Sequence, residues 1–161
     1  MGKKNIKIRY KSFAANSAKV YPFNLDYNMQ VTTSHYSSEV FQQILAIPSL
    51  FSLVFNCHGS SAYLDIGSDG LSWDNIDIWK TLSSTSIKYI YFASCNIVSF
   101  GNKRDGNLFC GAVAKAAQAN VIASSAIQDT AGTAPPKGYI SPFNRPAWIW
   151  YKNGANAPWD N

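Results

Sequence analysis

Two apolar stretches of the chain each lead into a residue that can take part in covalent chemistry. Residues 51–57 are followed by His58 and Gly59, and residues 87–94 are followed by Cys95. A thiol acts as a nucleophile when a nearby imidazole accepts and later returns its proton. The pair of His58 and Cys95 therefore predicts a cysteine–histidine hydrolase.

Both stretches are rich in β-branched and aromatic residues and show little alternation between apolar and polar positions. This composition is typical of central strands of a parallel sheet that is covered on both faces. Ligands of open α/β sheets collect at the carboxyl ends of the strands, and neighbouring strands lie about 5 Å apart. We therefore expect His58 and Cys95 to share one rim of the sheet if their strands are adjacent.

The residues around this pair supply the other groups that acyl transfer needs. Gly59 has no Cβ, so its backbone N–H can approach a substrate carbonyl closely, and the N–H of Cys95 would be the second oxyanion donor. His58 is favoured over His35 as the base because a strand end followed by glycine gives a fixed, exposed position. Both histidines precede Cys95, which excludes an order with the cysteine first, as in papain.

Strand and helix patterns alternate through the middle of the chain and predict a mainly parallel α/β sheet. Three helices are predicted. The first starts at Ser37 and ends before Pro48, the second runs from an Asp74 cap to Leu82, and the third begins near Gly106. The remaining predicted elements are strands at 88–93, 121–124 and 147–151, an N-terminal hairpin that pairs residues 4–11 with 19–23, and a small hairpin around 67–70. We interpret residues 1–161 as a single domain with edge strands in 1–36, the α/β core in 37–125, and a loop and final strand in 126–161.

The two blocks together resemble the caspase-like clan of cysteine peptidases, which includes caspases, gingipains, clostripain and the self-cleaving domains of bacterial toxins. The first block reads Leu-Val-Phe-Asn-Cys-His-Gly (53–59), and the second reads Tyr-Ile-Tyr-Phe-Ala-Ser-Cys (89–95). The order of the helix and strand over residues 106–123 is also similar to that clan. The resemblance implies a three-layer sandwich around a mainly parallel sheet, with short β-hairpins at the edges.

The same resemblance implies roles for individual residues. Cys95 would be the nucleophile, His58 would protonate the leaving amine, and water would resolve the acyl-enzyme. Ser124 and Ser125 would form a wall of the primary substrate pocket. Asp65 could orient the histidine or line a specificity pocket, as could Asp69 and Asp74, although each of these aspartates also suits a turn or a helix cap. The implied substrate is a protein or peptide, with no cofactor and no metal, and the implied context is a bacterial toxin or effector.

Composition and charge restrict the class of protein. Hydrophobic residues make up 47% and charged residues 14%, which favours a folded chain. Five of the cations lie in the first eleven residues, and we interpret them as protecting an edge strand; a nucleic-acid-binding arm is the alternative. No apolar run is long enough for a membrane span, and no signal-peptide core follows the basic N-terminus. We therefore expect a cytoplasmic protein, or one delivered into a target cell by a dedicated secretion system.

The three cysteines, Cys57, Cys95 and Cys110, all lie in apolar segments, which favours a reducing compartment over a disulfide scaffold. No CxxC pair supports a zinc site. Cys57 is predicted to pack in the core on the face opposite His58. Cys110 lies in the first turn of a predicted helix and is the rival nucleophile. Two other functions stay open, a catalytically inactive binding module with the same fold and a nucleic-acid-directed toxin.

Overall fold

The structure is a computed structural model that describes residues 6–7, 11–20, 22–98, 105–125, 139–140 and 148–151. Its helices are α1 (Ser37–Leu45), a 3-10 helix (Trp73–Leu82) and α2 (Gly106–Ala117). Its strands are β1 (Ile6–Lys7), β2 (Ser12–Ser17), β3 (Tyr27–Val31), β4 (Ser52–Asn56), β5 (His58–Ser60), β6 (Tyr63–Asp65), β7 (Tyr89–Ala93), β8 (Asn120–Ser124), β9 (Tyr139–Ile140) and β10 (Trp148–Tyr151). None of the helices among these residues combines the length and the apolar character that a bilayer span requires.

Six strands form a central sheet in the order β10-β8-β7-β4-β2-β3. Five of them run parallel, and β10 joins the edge at β8 in the antiparallel direction. Two short antiparallel pairs lie outside this sheet, β5 with β6 and β1 with β9. The prediction of an α/β fold with a mainly parallel sheet is confirmed.

All three helices pack on one face of the sheet. The crossovers from β3 to β4, from β4 to β7 and from β7 to β8 advance in the same direction across the sheet. Right-handed crossovers that advance in one direction place their helices on one face. The largest core cluster accordingly joins residues of all three helices to alternate residues of the strands, including Phe55 on β4 and Phe92 on β7.

The opposite face is covered, within the described residues, by the connection from β2 to β3. This connection runs in the reverse direction, so the same handedness rule places it on the other side of the sheet. Its Phe23 and Leu25 pack in a second cluster with Val54 of β4 and Tyr91 of β7. The predicted hairpin between residues 4–11 and 19–23 is therefore wrong: within 19–23 the described residues form a turn and irregular chain, while Ile6 and Lys7 pair with β9.

Two strands of the central sheet, β2 and β3, are not predicted from the sequence, and β2 reads Ser-Phe-Ala-Ala-Asn-Ser. All six residues are buried because β2 lies between β3 and β4 and has covered faces on both sides. Small residues suit this position, and the amide of Asn16 is satisfied there: its Oδ1 accepts from the N–H of Phe23 at 2.8 Å and from Nδ2 of Asn56 at 2.9 Å.

Helix α1 starts at Ser37 as predicted, but the capping residues of α1 and of the 3-10 helix differ from those predicted. Helix α1 is capped at Tyr36, whose N–H donates to the carboxylate of Glu39, whereas Ser37 donates both its N–H and its hydroxyl to Asp69. The 3-10 helix is capped by the hydroxyl of Ser72, which accepts the N–H of Asp74. Asp69 therefore serves to hold the start of α1, and Asp74 is an exposed first-turn residue.

Candidate active site

The strands that precede His58 and Cys95 are neighbours, which is the condition for the two residues to share one rim of the sheet. Strands β4 and β7 pair in parallel, and their last paired residues are Asn56 and Ala93. His58 and Cys95 each follow two residues beyond this pair. Both residues therefore lie at the same carboxyl rim of the sheet. The side chain of His58 is exposed and that of Cys95 is half-buried.

His58 opens the hairpin of β5 and β6, whose turn falls at Ser61 and Ala62. The chain also reverses at the predicted turn around residues 67–70, where an antiparallel bridge joins Leu64 to Leu71, but the longer pairing is the preceding one between β5 and β6. Ala62 adopts a left-handed conformation, with φ of 53°, and donates its N–H to the carbonyl of Ile97 at 3.1 Å. This bond ties the tip of the hairpin to the loop that carries Cys95.

The loop after β7 is held by three contacts that bracket Cys95. Ser94 lies on one side, with its Oγ 3.3 Å from Sγ of Cys57. On the other side Ile97 accepts the N–H of Ala62, and the N–H of Val98 donates to the carbonyl of Ser124 at 3.0 Å. The backbone position of Cys95 is therefore fixed by contacts of its neighbours with Cys57 after β4, with Ala62 of the hairpin and with Ser124 of β8.

Gly59 packs directly against the loop of Cys95. A Cβ at this position would lie 2.5 Å from Cδ1 of Ile97, 2.9 Å from Cβ of Ser94 and 3.0 Å from the carbonyl oxygen of Cys95. The backbone of Gly59 therefore lies in close contact with the loop that carries Cys95. The structure gives this glycine a packing requirement that the sequence did not reveal.

Replacing Gly59 by Ala is expected to destabilise the protein by about 1–3 kcal/mol, because a methyl group inserted into close packing forces the backbone apart. The contacts to Ser94 and to the Cys95 carbonyl involve backbone or near-backbone atoms that cannot swing away. Denaturant unfolding measures the effect, with Ser60→Ala on the next, exposed residue as the matched control. A cost for Gly59→Ala equal to that of the control would contradict the close approach.

The hairpin turns the N–H of Gly59 away from β6. Leu64 stands opposite Gly59, but it donates its own N–H to Leu71 at 2.9 Å and accepts the N–H of Leu71 in return. The N–H and C=O of one strand residue point to the same side, so Leu64, which uses both on Leu71, forms a non-hydrogen-bonded pair with Gly59. The Gly59 N–H therefore points out of the hairpin, away from β6.

Asp65 stands directly opposite His58 in the hairpin. Directly opposed residues of an antiparallel pair have side chains on the same face, with Cβ atoms about 4.5–5.5 Å apart. Gly59 and Leu64 take the inner face, so His58 and Asp65 project from the outer face, where both are exposed. Of the three candidate aspartates, Asp65 is the one that the structure brings beside the histidine.

The other two thiols are sealed in the core. Burial raises the pKa of Cys57 to about 12; the hydrogen bond with Ser94 lowers it by less, and the nearby Asp65 and Cys95 add to the rise. Burial also raises the pKa of Cys110 well above its usual value. The prediction that Cys57 packs in the core is confirmed. Cys110 is fully buried in α2, and desolvation there outweighs the favourable end of the helix, so it is a poor nucleophile.

The remaining candidates lie at or near the same rim in different surroundings. Ser124 ends β8 beside β7 with its side chain fully buried, and the next residue, Ser125, is exposed. His35 lies in the loop after β3, where its Nδ1 accepts the N–H of Thr32 at 3.0 Å, as expected for a loop residue. The described residues contain no group of three or more His, Cys, Asp or Glu side chains that could share a metal ion.

The sequence missed the residues at the carboxyl ends of β2 and β3 at this rim. Ser17, Lys19, Thr32 and Thr33 line a cavity together with Asp65 of the hairpin. They gave no signal because β2 itself was not predicted, so nothing placed the chain after it next to the strand that leads to His58. No protein-family model, curated protein or solved structure matches this chain.

Proposed function

We propose that this chain is a cysteine endopeptidase of the caspase-like type. The observation that carries the proposal is the equal placement of His58 and Cys95, each two residues beyond the paired ends of neighbouring parallel strands. A nucleophile and a base on one rigid rim are what acyl transfer requires. The three-layer architecture expected for that clan belongs to the proposal, supported by helices on one face and by Phe23 and Leu25 over the other.

In the proposed reaction the thiolate of Cys95 attacks the carbonyl carbon of the scissile peptide bond. The negative charge on the carbonyl oxygen is stabilised by the N–H groups of Gly59 and Cys95. The imidazolium of His58 gives its proton to the amine, which leaves as the C–N bond breaks. Water, deprotonated by the same imidazole, then attacks the thioester and releases the carboxylic acid and the thiol.

The proposed substrate is a protein or peptide, and the reaction needs no cofactor. Asp65, Ser124 and Ser125 are the proposed substrate-binding residues; the exposed Asp65 and Ser125 can contact a peptide directly, whereas the buried Ser124 can only support its neighbour. A bacterial toxin or effector, acting in the cytoplasm or after delivery into a target cell, fits a peptidase of this kind.

Thiol labelling tests the proposal against an inactive binding module. With iodoacetamide at neutral pH we expect rapid modification of Cys95 alone, because Cys57 and Cys110 are buried and their pKa values are raised. We expect His58→Ala to slow the modification of Cys95, and Ser60→Ala, on the same strand, to leave it unchanged. Peptide mass mapping at timed intervals measures each site. Modification of Cys95 that is as slow as in a buried thiol, or that ignores His58, would favour the module.

A further inference from the structure

A small polar cavity lies at the topological switch point of the sheet. From β2 the chain moves outward to the edge strand β3, and it then returns past β2 to β4. The connections of the neighbours β2 and β4 therefore leave on opposite faces, which opens a crevice between their carboxyl ends. Open α/β sheets bind their ligands at this position.

The cavity has a volume of about 160 Å³. Its walls come from the ends of β2 and β3 and from the hairpin that His58 begins: Ser17, Ala18, Lys19, Val31, Thr32, Thr33, Asp65 and Gly67. At about 30 Å³ for each water molecule, the space holds about five non-hydrogen atoms, which corresponds to a single side chain. Because Asp65 is the cross-strand partner of His58, the cavity adjoins the proposed catalytic histidine.

The charges of the cavity balance. Its walls contain one carboxylate, that of Asp65, and one ammonium group, that of Lys19, and the other polar side chains are the hydroxyls of Ser17, Thr32 and Thr33. A cationic ligand would meet Lys19, and an anionic ligand would meet Asp65. A carboxamide avoids both repulsions, because its NH₂ group donates to a carboxylate while its oxygen accepts from an ammonium.

We propose that this cavity binds a carboxamide side chain, that of glutamine or asparagine, next to the peptide bond that Cys95 cleaves. The inference rests on the proposed peptidase function for its second half, whereas the binding of the carboxamide stands on the cavity alone. Asp65 accepts from the amide nitrogen, Lys19 donates to the amide oxygen, and the threonine hydroxyls line the remaining wall.

The test measures binding without relying on catalysis. Four capped amino acids serve as probes, the N-acetyl N′-methylamides of glutamine, glutamate, lysine and leucine, so that only the glutamine probe carries a primary carboxamide, and backbone amide NMR shifts report their binding. We expect the glutamine probe to bind about tenfold more tightly than the other three, with shifts at Thr32, Thr33 and Gly67, since only the carboxamide matches both the carboxylate of Asp65 and the ammonium of Lys19.

Charge reversal should exchange the preference. In Lys19→Glu the cavity carries two carboxylates, and we expect the lysine probe to bind best; in Asp65→Lys it carries two ammonium groups, and we expect the glutamate probe to bind best. Lys80→Glu, on the exposed surface of the 3-10 helix, is the matched control and should keep the glutamine preference. Equal binding of glutamine and leucine, a charged preference in the wild type, or shifts away from the cavity would each overturn the proposal.

The two proposals fail separately. Carboxamide binding in a protein whose Cys95 is unreactive would leave the cavity assignment intact and end the peptidase proposal. Peptide cleavage that shows no preference for glutamine or asparagine near the cut would leave the peptidase intact and end the assignment of the cavity.

Discussion

Cys95→Ala is expected to abolish peptide-bond cleavage by this protein, and His58→Ala to slow it by about 10²–10⁴-fold, the usual contribution of a positioned general acid and base. The nucleophile has no substitute nearby, because Cys57 and Cys110 are buried and their thiols hold their protons. Removal of the imidazole leaves the thiol and the oxyanion donors in place, so a residual reaction is expected.

The measurement compares newly formed protein N-termini in a cell lysate treated with each variant, since new termini report cleavage without knowledge of the substrate. Ser60→Ala is the matched control: it alters an exposed residue of the strand that begins with His58 and should cleave like the wild type. Circular dichroism establishes that each variant is folded. New termini that persist with Cys95→Ala, at the rate of the wild type, would end the proposal of a cysteine nucleophile.

The elements that could be predicted from the sequence are those whose hydrophobic pattern matches their burial in the fold. Strands β4 and β7 are continuous apolar runs that end up central in the sheet, and α2 shows an apolar face that packs on the core. For these segments the hydrophobic pattern alone specifies what is buried, both faces of the two strands and one face of the helix. The position of His58 and Cys95 at strand ends followed from the same signal.

Strand β2 could not be predicted because its sequence carries no pattern of its own. Ala14 and Ala15 face opposite sides of the sheet, and Asn16 has its amide oxygen bonded to Phe23 and to Asn56 of the neighbouring strand. Its strand conformation depends on partners that are distant in sequence, β3 and β4. Since the switch-point cavity begins where β2 ends, its residues were equally invisible.

The roles of the polar residues near the site were only partly predictable for a similar reason. Three aspartates follow His58, and local sequence treats them alike. The hairpin register places Asp65 opposite His58, whereas Asp69 is bonded to the N–H and the hydroxyl of Ser37 at 2.8 and 2.6 Å. These roles are set by contacts with residues distant in sequence, and the spacing of the aspartates from His58 does not predict those contacts.

Trp79 of the 3-10 helix packs against the two strands, β4 and β7, that lead to His58 and Cys95. Its side chain is fully buried, and its ring centre lies 5.3 Å from that of Phe55 on β4, 5.6 Å from that of Phe92 on β7 and 5.2 Å from that of Phe41 on α1. Trp79 therefore packs beneath both strands that lead to the candidate site. Its Nε1 has no hydrogen-bond partner among the described residues, so shape and burial account for its contribution.

Trp79→Ala is expected to lower the free energy of unfolding by about 3–5 kcal/mol, because the mutation removes a fully buried indole and leaves a cavity between α1 and the sheet. Trp79→Phe should cost less than half as much, since it keeps one ring and removes an N–H that has no partner. Trp73→Ala is the matched control, a half-exposed tryptophan of the same helix that packs on Phe109. Guanidinium unfolding measures all three. A loss for Trp79→Ala no larger than for Trp73→Ala would show that β4 and β7 are held in register without this aromatic support, and the fixed placement of His58 and Cys95 would then need another cause.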